Sequence, residues 1–179
     1  VTDNERLNSF LDLFEKWNRS INLSAASTRA ELQDHVIDGL EVVPLLDAAQ
    51  AKRVLDVGSG GGFPVVIAAI AMPTVEFTAL EPVHKKHAFL RTAARELGLA
   101  NFEALAERIE DHPTKDYDAA MSRATFDLGD WLRLGLERVV PGGIVIGFEA
   151  LERTDLPVPV ERHVYEIAGK RRALVVARK

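Results

Sequence analysis

Between Val54 and Pro64 the chain reads Val-Leu-Asp-Val-Gly-Ser-Gly-Gly-Gly-Phe-Pro, a short apolar strand that breaks into a glycine-rich turn and leads into a helix. Glycines permit positive φ and close approach of a ligand to the backbone, and the N-terminus of the following helix offers unpaired N–H groups. Such a unit builds a ligand cradle at the carboxyl end of a strand. The chain beyond it keeps the alternation of short apolar strands and helical stretches that belongs to βαβ units and a mostly parallel sheet. Strands are expected at Arg53–Val57, Val75–Leu80, Phe102–Leu105, Tyr117–Met121 and Ile144–Phe148. Helices are expected at Val83–Leu97, ended by Gly98, and at Asp127–Val140, closed by Pro141-Gly142-Gly143. Val160–Ile167 and Arg172–Ala177, separated by Ala168-Gly169-Lys170-Arg171, suggest a C-terminal hairpin.

Ahead of the cradle, Leu7, Phe10, Leu11, Phe14 and Trp17 follow helical spacing, and Thr2 to Glu5 can form a capping box. A second capping box, Thr28 to Glu31, opens a helix that runs through Leu32, Val36 and Leu40 toward Pro44. The expected organisation is a helical extension over residues 1–47 packed on an α/β domain over 48–179. The length and an apolar share of 47% suffice for one well-buried core.

Absence of cysteine excludes disulfides, thiolate metal sites and thiol nucleophiles. The longest nearly unbroken apolar stretch, Phe63–Pro73, falls well short of the roughly 20 residues a membrane helix needs. The opening Val1-Thr2-Asp3-Asn4-Glu5-Arg6 lacks the order of a secretory signal, so a cytoplasmic protein with no membrane partner is expected, and separately a monomer. With a net charge of −5, nucleic acid must be met by a local patch. Lys85, Lys86, Arg91 and Arg95 form one such cluster, and Lys170, Arg171, Arg172, Arg178 and Lys179 another. His84 and His87 have a spacing compatible with metal but no third convergent ligand, so no metal is expected.

A dinucleotide fingerprint, Gly-x-Gly-x-x-Gly, would place its last glycine at Phe63, which excludes the nicotinamide reading. The pattern that remains, Asp56-x-Gly58-x-Gly60-x-Gly62, is the form seen in methyltransferases that bind S-adenosylmethionine. It implies a class I, Rossmann-like methyltransferase fold: a mostly parallel seven-stranded sheet ending in an antiparallel hairpin. Glu81, at the end of the second strand, stands where an acid accepts hydrogen bonds from ribose hydroxyls. Asp56 either orients the glycine loop, the favoured reading, or contacts the methionine moiety.

The target is narrowed by what is missing. Carbon-5 methylation of pyrimidines needs a cysteine. Exocyclic amines usually call for Asn/Asp-Pro-Pro-aromatic after the fourth strand, where this chain has Met121-Ser122-Arg123-Ala124. Ribose methylation generally wants a lysine-centred set, yet the fifth strand ends in Phe148-Glu149. A ring nitrogen with its own lone pair, such as guanine N7, needs only alignment with the methyl donor. Arg123 should project from the carboxyl edge of the sheet, where its guanidinium can pair with a cofactor carboxylate, a phosphate or guanine O6, or else form a structural salt bridge.

Several pieces, in order over about 150 residues, carry a family likeness. They are Lys16-Trp17-Asn18 with Ile21-Asn22-Leu23, His35-Val36-Ile37-Asp38, Gly62-Phe63-Pro64, Phe89-Leu90-Arg91 and Ser122-Arg123-Ala124. Together they resemble the RsmG (GidB) family, which methylates N7 of a guanosine in bacterial 16S ribosomal RNA. The resemblance implies that Gly58 and Phe63 line the cofactor, that Ile109 and Glu110 contact its adenine, and that Arg123 lies beside cofactor and target base. It also implies 16S RNA or the small ribosomal subunit as partner. Trp17 is expected to anchor the first helix, His35 to be structural, and Asn18 and Asn22 to serve helix ends and turns. The chain departs from the family pattern at Glu81-Pro82 and at Glu149, where the family often has lysine. Two other readings are a methyltransferase for a small molecule, and a non-catalytic RNA-binding or assembly module that keeps the pocket.

Overall fold

A computed structural model describes residues 1–179. Its elements are α1 (Asp3–Ile21), α2 (Arg29–Ala48), β1 (Arg53–Val57), α3 (Val65–Ala71), β2 (Glu76–Leu80), α4 (His84–Leu97), β3 (Phe102–Leu105), a 3-10 turn (Ile109–Asp111), β4 (Tyr117–Ser122), α5 (Leu128–Leu136), β5 (Val139–Glu149), β6 (Glu161–Ile167) and β7 (Lys170–Arg178). The seven strands form one sheet in the order β3-β2-β1-β4-β5-β7-β6, parallel from β3 through β5 and antiparallel at β7 and β6. The strand order reverses at β1 and β4, so their carboxyl ends open the crevice where doubly wound sheets bind ligands.

Both capping boxes are present, Thr2 with Glu5 and Thr28 with Glu31. Each N-cap is worth about 0.5–2 kcal/mol to its helix. Pro44 does not end α2, which continues to Ala48. Proline forgoes the bond to the carbonyl four residues back, and both Pro44 and Leu40 lie on the exposed face, where water can take that carbonyl. A second correction concerns Pro141-Gly142-Gly143, which lies inside β5 and not between a helix and a strand. The register jumps from Tyr117↔Val139 to Ala119↔Ile144, so the segment bulges out of the ladder, and Lys179 exchanges backbone hydrogen bonds with Gly142 and Gly143. Accordingly α5 stops at Leu136. The hairpin turn is only Ala168-Gly169, both at positive φ, which suits the twist of the strands it joins and leaves Lys170 and Arg171 in β7.

The two faces of the sheet are covered unequally. One carries α1 to α4 over a continuous apolar cluster that includes Phe10, Phe14, Phe63, Phe89 and Leu90, so the first 47 residues share a core with the sheet. Trp17 packs on Phe89 with ring centres 5.6 Å apart, anchoring α1 as expected. The other face holds a smaller cluster under α5 and the 3-10 turn. There Trp131 ties α5 to β5 by donating its indole N–H to the Ile146 carbonyl at 2.8 Å.

Candidate active site

Two clefts open at the carboxyl edge of the parallel strands. The first, about 230 Å³, is lined by Val57 and Gly58 of the glycine loop, Leu80 and Pro82 after β2, the stretch Glu107–Glu110, and Thr125 with Phe126. Gly58, Gly60 and Gly62 all have positive φ. A Cβ at Gly60 would meet nothing closer than 3.9 Å, so this glycine faces open space and leaves its backbone approachable. A Cβ at Gly58 would collide with Thr125, and one at Gly62 would lie 2.7 Å from Val66. Phe14 backs the loop against Gly61 from the opposite side.

Two buried carboxylates stand beside this loop. Glu81 holds it in place, accepting from the Gly60 N–H at 2.7 Å and from the Val83 N–H at 3.0 Å. Asp56, expected to orient the loop, has a buried Oδ2 with no hydrogen-bond partner, and burial pushes its carboxyl up to about 7. A carboxylate oxygen without a partner at the end of the strand that leads into the glycine loop would suit a ligand with a cationic amino group. Ile109 and Glu110 both line the cleft, Ile109 buried and Glu110 exposed. The turn that carries them is braced from behind by Arg138, which donates to the Ile109 and His112 carbonyls. The Phe63 backbone follows the loop, but its ring turns into the apolar layer, 5.3 Å from both Phe10 and Phe14.

The second cavity, about 660 Å³, lies across the Arg123–Phe126 segment. It is walled by Ser24–Ala26, His35 and Asp38 from the N-terminal helices, Arg123 and Ala124 after β4, Phe148–Ala150 at the end of β5, and Tyr165, Ile167, Arg172 and Ala173 from the hairpin. Arg123 donates through Nη1 to Asp38 Oδ2 at 3.1 Å and to His35 Nδ1 at 3.0 Å, and lies over the Phe63 ring at 5.9 Å. His35 must be neutral at Nδ1 to accept. Burial, followed by the adjacent Arg123 charge, lowers its pKa and keeps it so. Asp38 receives its second bond from Tyr165, whose hydroxyl donates to Oδ1 at 2.7 Å.

Glu149 lies on the cavity wall but presents no free charge. Burial alone would raise its pKa, yet Arg162, the Arg153 backbone N–H and Arg171 together pull it below the usual carboxylate range. Their distances to its oxygens are 3.0, 2.9 and 3.3 Å. Asn18 and Asn22 have the turn roles expected: Asn18 bridges Ser24 and Ala26, and Asn22 caps α1 in the left-handed region. No cluster of three or more His, Asp or Glu side chains is placed to hold a metal, and His87 bonds the Ala104 carbonyl. In the sequence Asp38 stands out only as part of a motif, and nothing marks Tyr165 or Thr125. A lone tyrosine in an alternating strand gives no local sign of a partner in a distant helix.

Among solved structures, the fold is similar to an S-adenosylmethionine-dependent O-methyltransferase of Thermotoga maritima. The TM-score is 0.61 at 16% identity, over 80% of this chain and 64% of that one. A methyltransferase of the same cofactor dependence from Aquifex aeolicus gives 0.59 at 18%, over 79% and 90%. Proteins called ribosomal RNA small subunit methyltransferase G are closer in sequence. That of Laribacter hongkongensis is 42% identical over 136 residues, which span 75% of this chain and 64% of the relative. That of Burkholderia cenocepacia is 36% identical over 94% of this chain and 86% of its own length. The one from Neisseria gonorrhoeae is 34% identical over 91% and 87%. A family model described as GidB, rRNA small subunit methyltransferase G, matches residues 3–155, and the chain belongs to that family.

Proposed function

We propose that the protein methylates N7 of a guanine in 16S ribosomal RNA, using S-adenosylmethionine held in the glycine cleft. The observation that carries this reading is the pair of clefts on either side of Arg123–Phe126, one running from the glycine loop to Ile109 and Glu110, where the adenosine end of the cofactor would lie, and one wide enough for a base. Gly60 and the unpartnered Asp56 oxygen would receive the amino-acid end. Ile109 and Glu110 would flank the adenine, and Glu81, holding Gly60, retains lone pairs for a ribose hydroxyl. Bound there, S-adenosylmethionine supplies an electrophilic methyl group on a sulfonium.

The residues of the wider cavity then have little proton chemistry to perform. N7 carries no proton at neutral pH, so the task is to align it and exclude water, through proximity and orientation. Arg123 remains protonated and acts as an orienting cation. His35, which accepts from Arg123 through Nδ1, steadies that cation. Internal pairing of Glu149 removes the repulsion its position would otherwise present to RNA. In the test, unmodified small ribosomal subunits and extracted 16S RNA are offered with radiolabelled cofactor and the methylated base is mapped. Label on guanine N7 is expected, and turnover confined to small molecules, or RNA binding without turnover, would overturn the proposal.

A further inference from the structure

The Asp38 carboxylate is divided between two donors from opposite ends of the chain, Arg123 Nη1 on Oδ2 and the Tyr165 hydroxyl on Oδ1. Arg123 Nη1 uses its hydrogens on Asp38 and His35, while its Nε and Nη2 edges make no hydrogen bond within the protein. Arg123 and Tyr165 both line the wide cavity. A carboxylate with both oxygens free grips a guanidinium through two parallel bonds. With Oδ1 turned to the Tyr165 hydroxyl, Asp38 holds Arg123 at one point, through Oδ2. The Nε–Nη2 fork is thereby left for an outside oxygen acceptor.

We infer that Tyr165 is a positioning residue, which keeps the Arg123 fork open for an oxygen of the substrate RNA by occupying the Asp38 oxygen that would otherwise close on it. The inference rests on the proposed methyl transfer to RNA. Tyr165 lies outside residues 3–155, the part matched by the family model, so this chain's hairpin adds a constraint to a site assembled by the matched part. Its half-buried phenol is well suited to remain a donor. Burial first, and then the bond to Asp38, hold its pKa far above the ordinary tyrosine value.

The test is a double-mutant cycle of Tyr165→Phe and Arg123→Lys with unmodified small ribosomal subunits and S-adenosylmethionine. Tyr165→Phe should lower kcat/KM for the subunit by about tenfold, the scale of one hydrogen bond to a charged group, with cofactor Kd and Tm little changed. Lysine has no fork to protect, so in the Arg123→Lys background the same change should alter the rate by less than about twofold. A wild-type rate in Tyr165→Phe would overturn the inference, as would an equal loss in both backgrounds, or a loss confined to cofactor affinity. One measurement is independent of turnover: the side-chain ¹⁵N resonances of Arg123 in the protein without RNA. They should shift in Tyr165→Phe as Asp38 closes on Nη1 and Nη2 together. If wild-type protein transfers no methyl group, the functional reading fails, and these resonances still decide whether Tyr165 governs the pairing.

Discussion

The glycine cleft draws its walls mainly from β1, β2, β3 and the short turns after them, and most of its shape is backbone: positive-φ glycines, a 3-10 turn and amides held by Glu81. The wider cavity gathers side chains from α2, β4, β5 and the hairpin, and its central bonds join residues 85 to 127 positions apart. Backbone geometry tolerates almost no change of residue at a few points. A network of side-chain bonds tolerates change at each point but loses its collective geometry. The first arrangement fits a cofactor of fixed shape, and the second lets one fold take different substrates.

The sharpest way to break the contrast is to spoil the backbone. Gly58→Ala combines a left-handed φ of 71° with a collision against Thr125, and should cost about 2–5 kcal/mol in cofactor binding and stability together. Titration calorimetry and thermal melting would measure it. Adding Thr125→Gly should recover the steric part and leave the strain. Wild-type affinity in the single variant would mean that the loop is not the rigid wall described.

Next in size, Arg123→Lys should reduce single-turnover methyl transfer by about 10- to 100-fold while Tm changes little, because the ion pair with Asp38 survives and the fork does not. Arg123→Ala should in addition lose about 1–3 kcal/mol of stability, since Asp38 is left buried with its charge unpaired and only the Tyr165 hydroxyl as donor. A full stability loss in both variants, with activity falling in proportion, would make the residue structural.

Asp56→Asn should move function and stability in opposite directions. The native carboxyl holds its proton to about 7, while the unfolded one releases it near the ordinary value of 3.8. Its stability relative to the unfolded chain is therefore fully present below 3.8 and lost as pH rises toward 7. Asparagine removes that penalty, so the variant should melt higher than wild type at pH 8 and the same or lower at pH 4. It should also bind cofactor about tenfold more weakly. Equal melting profiles would show that Asp56 is solvated. The smallest expected effect is none: with cofactor saturating, the methyl-transfer step should be flat between about pH 6 and 9, because no general base is used and His35 is held neutral. A rise with pH traceable to one side chain would point to another target atom.

The same contrast explains what could be read in the sequence. The glycine cleft was legible because Asp56, Gly58, Gly60, Gly62 and Glu81 fall at fixed offsets in one crossover, so spacing alone encodes their meeting. Even so, the division of labour between Asp56 and Glu81 was not, since it depends on which carboxylate the loop amides face. The strand positions and the hairpin followed from apolar periodicity. Where Pro141-Gly142-Gly143 read as a stop, the ladder instead carried a bulge, because pairing with β4 and Lys179 outweighs a local terminator. The Asp38–Tyr165 bond had no local signature at all. It exists only because the sheet brings β6 beside α2.

Gly61 rests on Phe14, and Gly62 lies close to Phe10, so the floor of the glycine loop is the inner face of α1. Cofactor affinity and the docking of that helix therefore form one linked equilibrium. Whatever loosens α1 should weaken binding in a cleft it never touches, and a ligand in the cleft should by the same free energy protect α1 from proteases. The glycine signature is accordingly not a portable module: moved onto another sheet without its aromatic bed, it would keep its sequence and lose its grip.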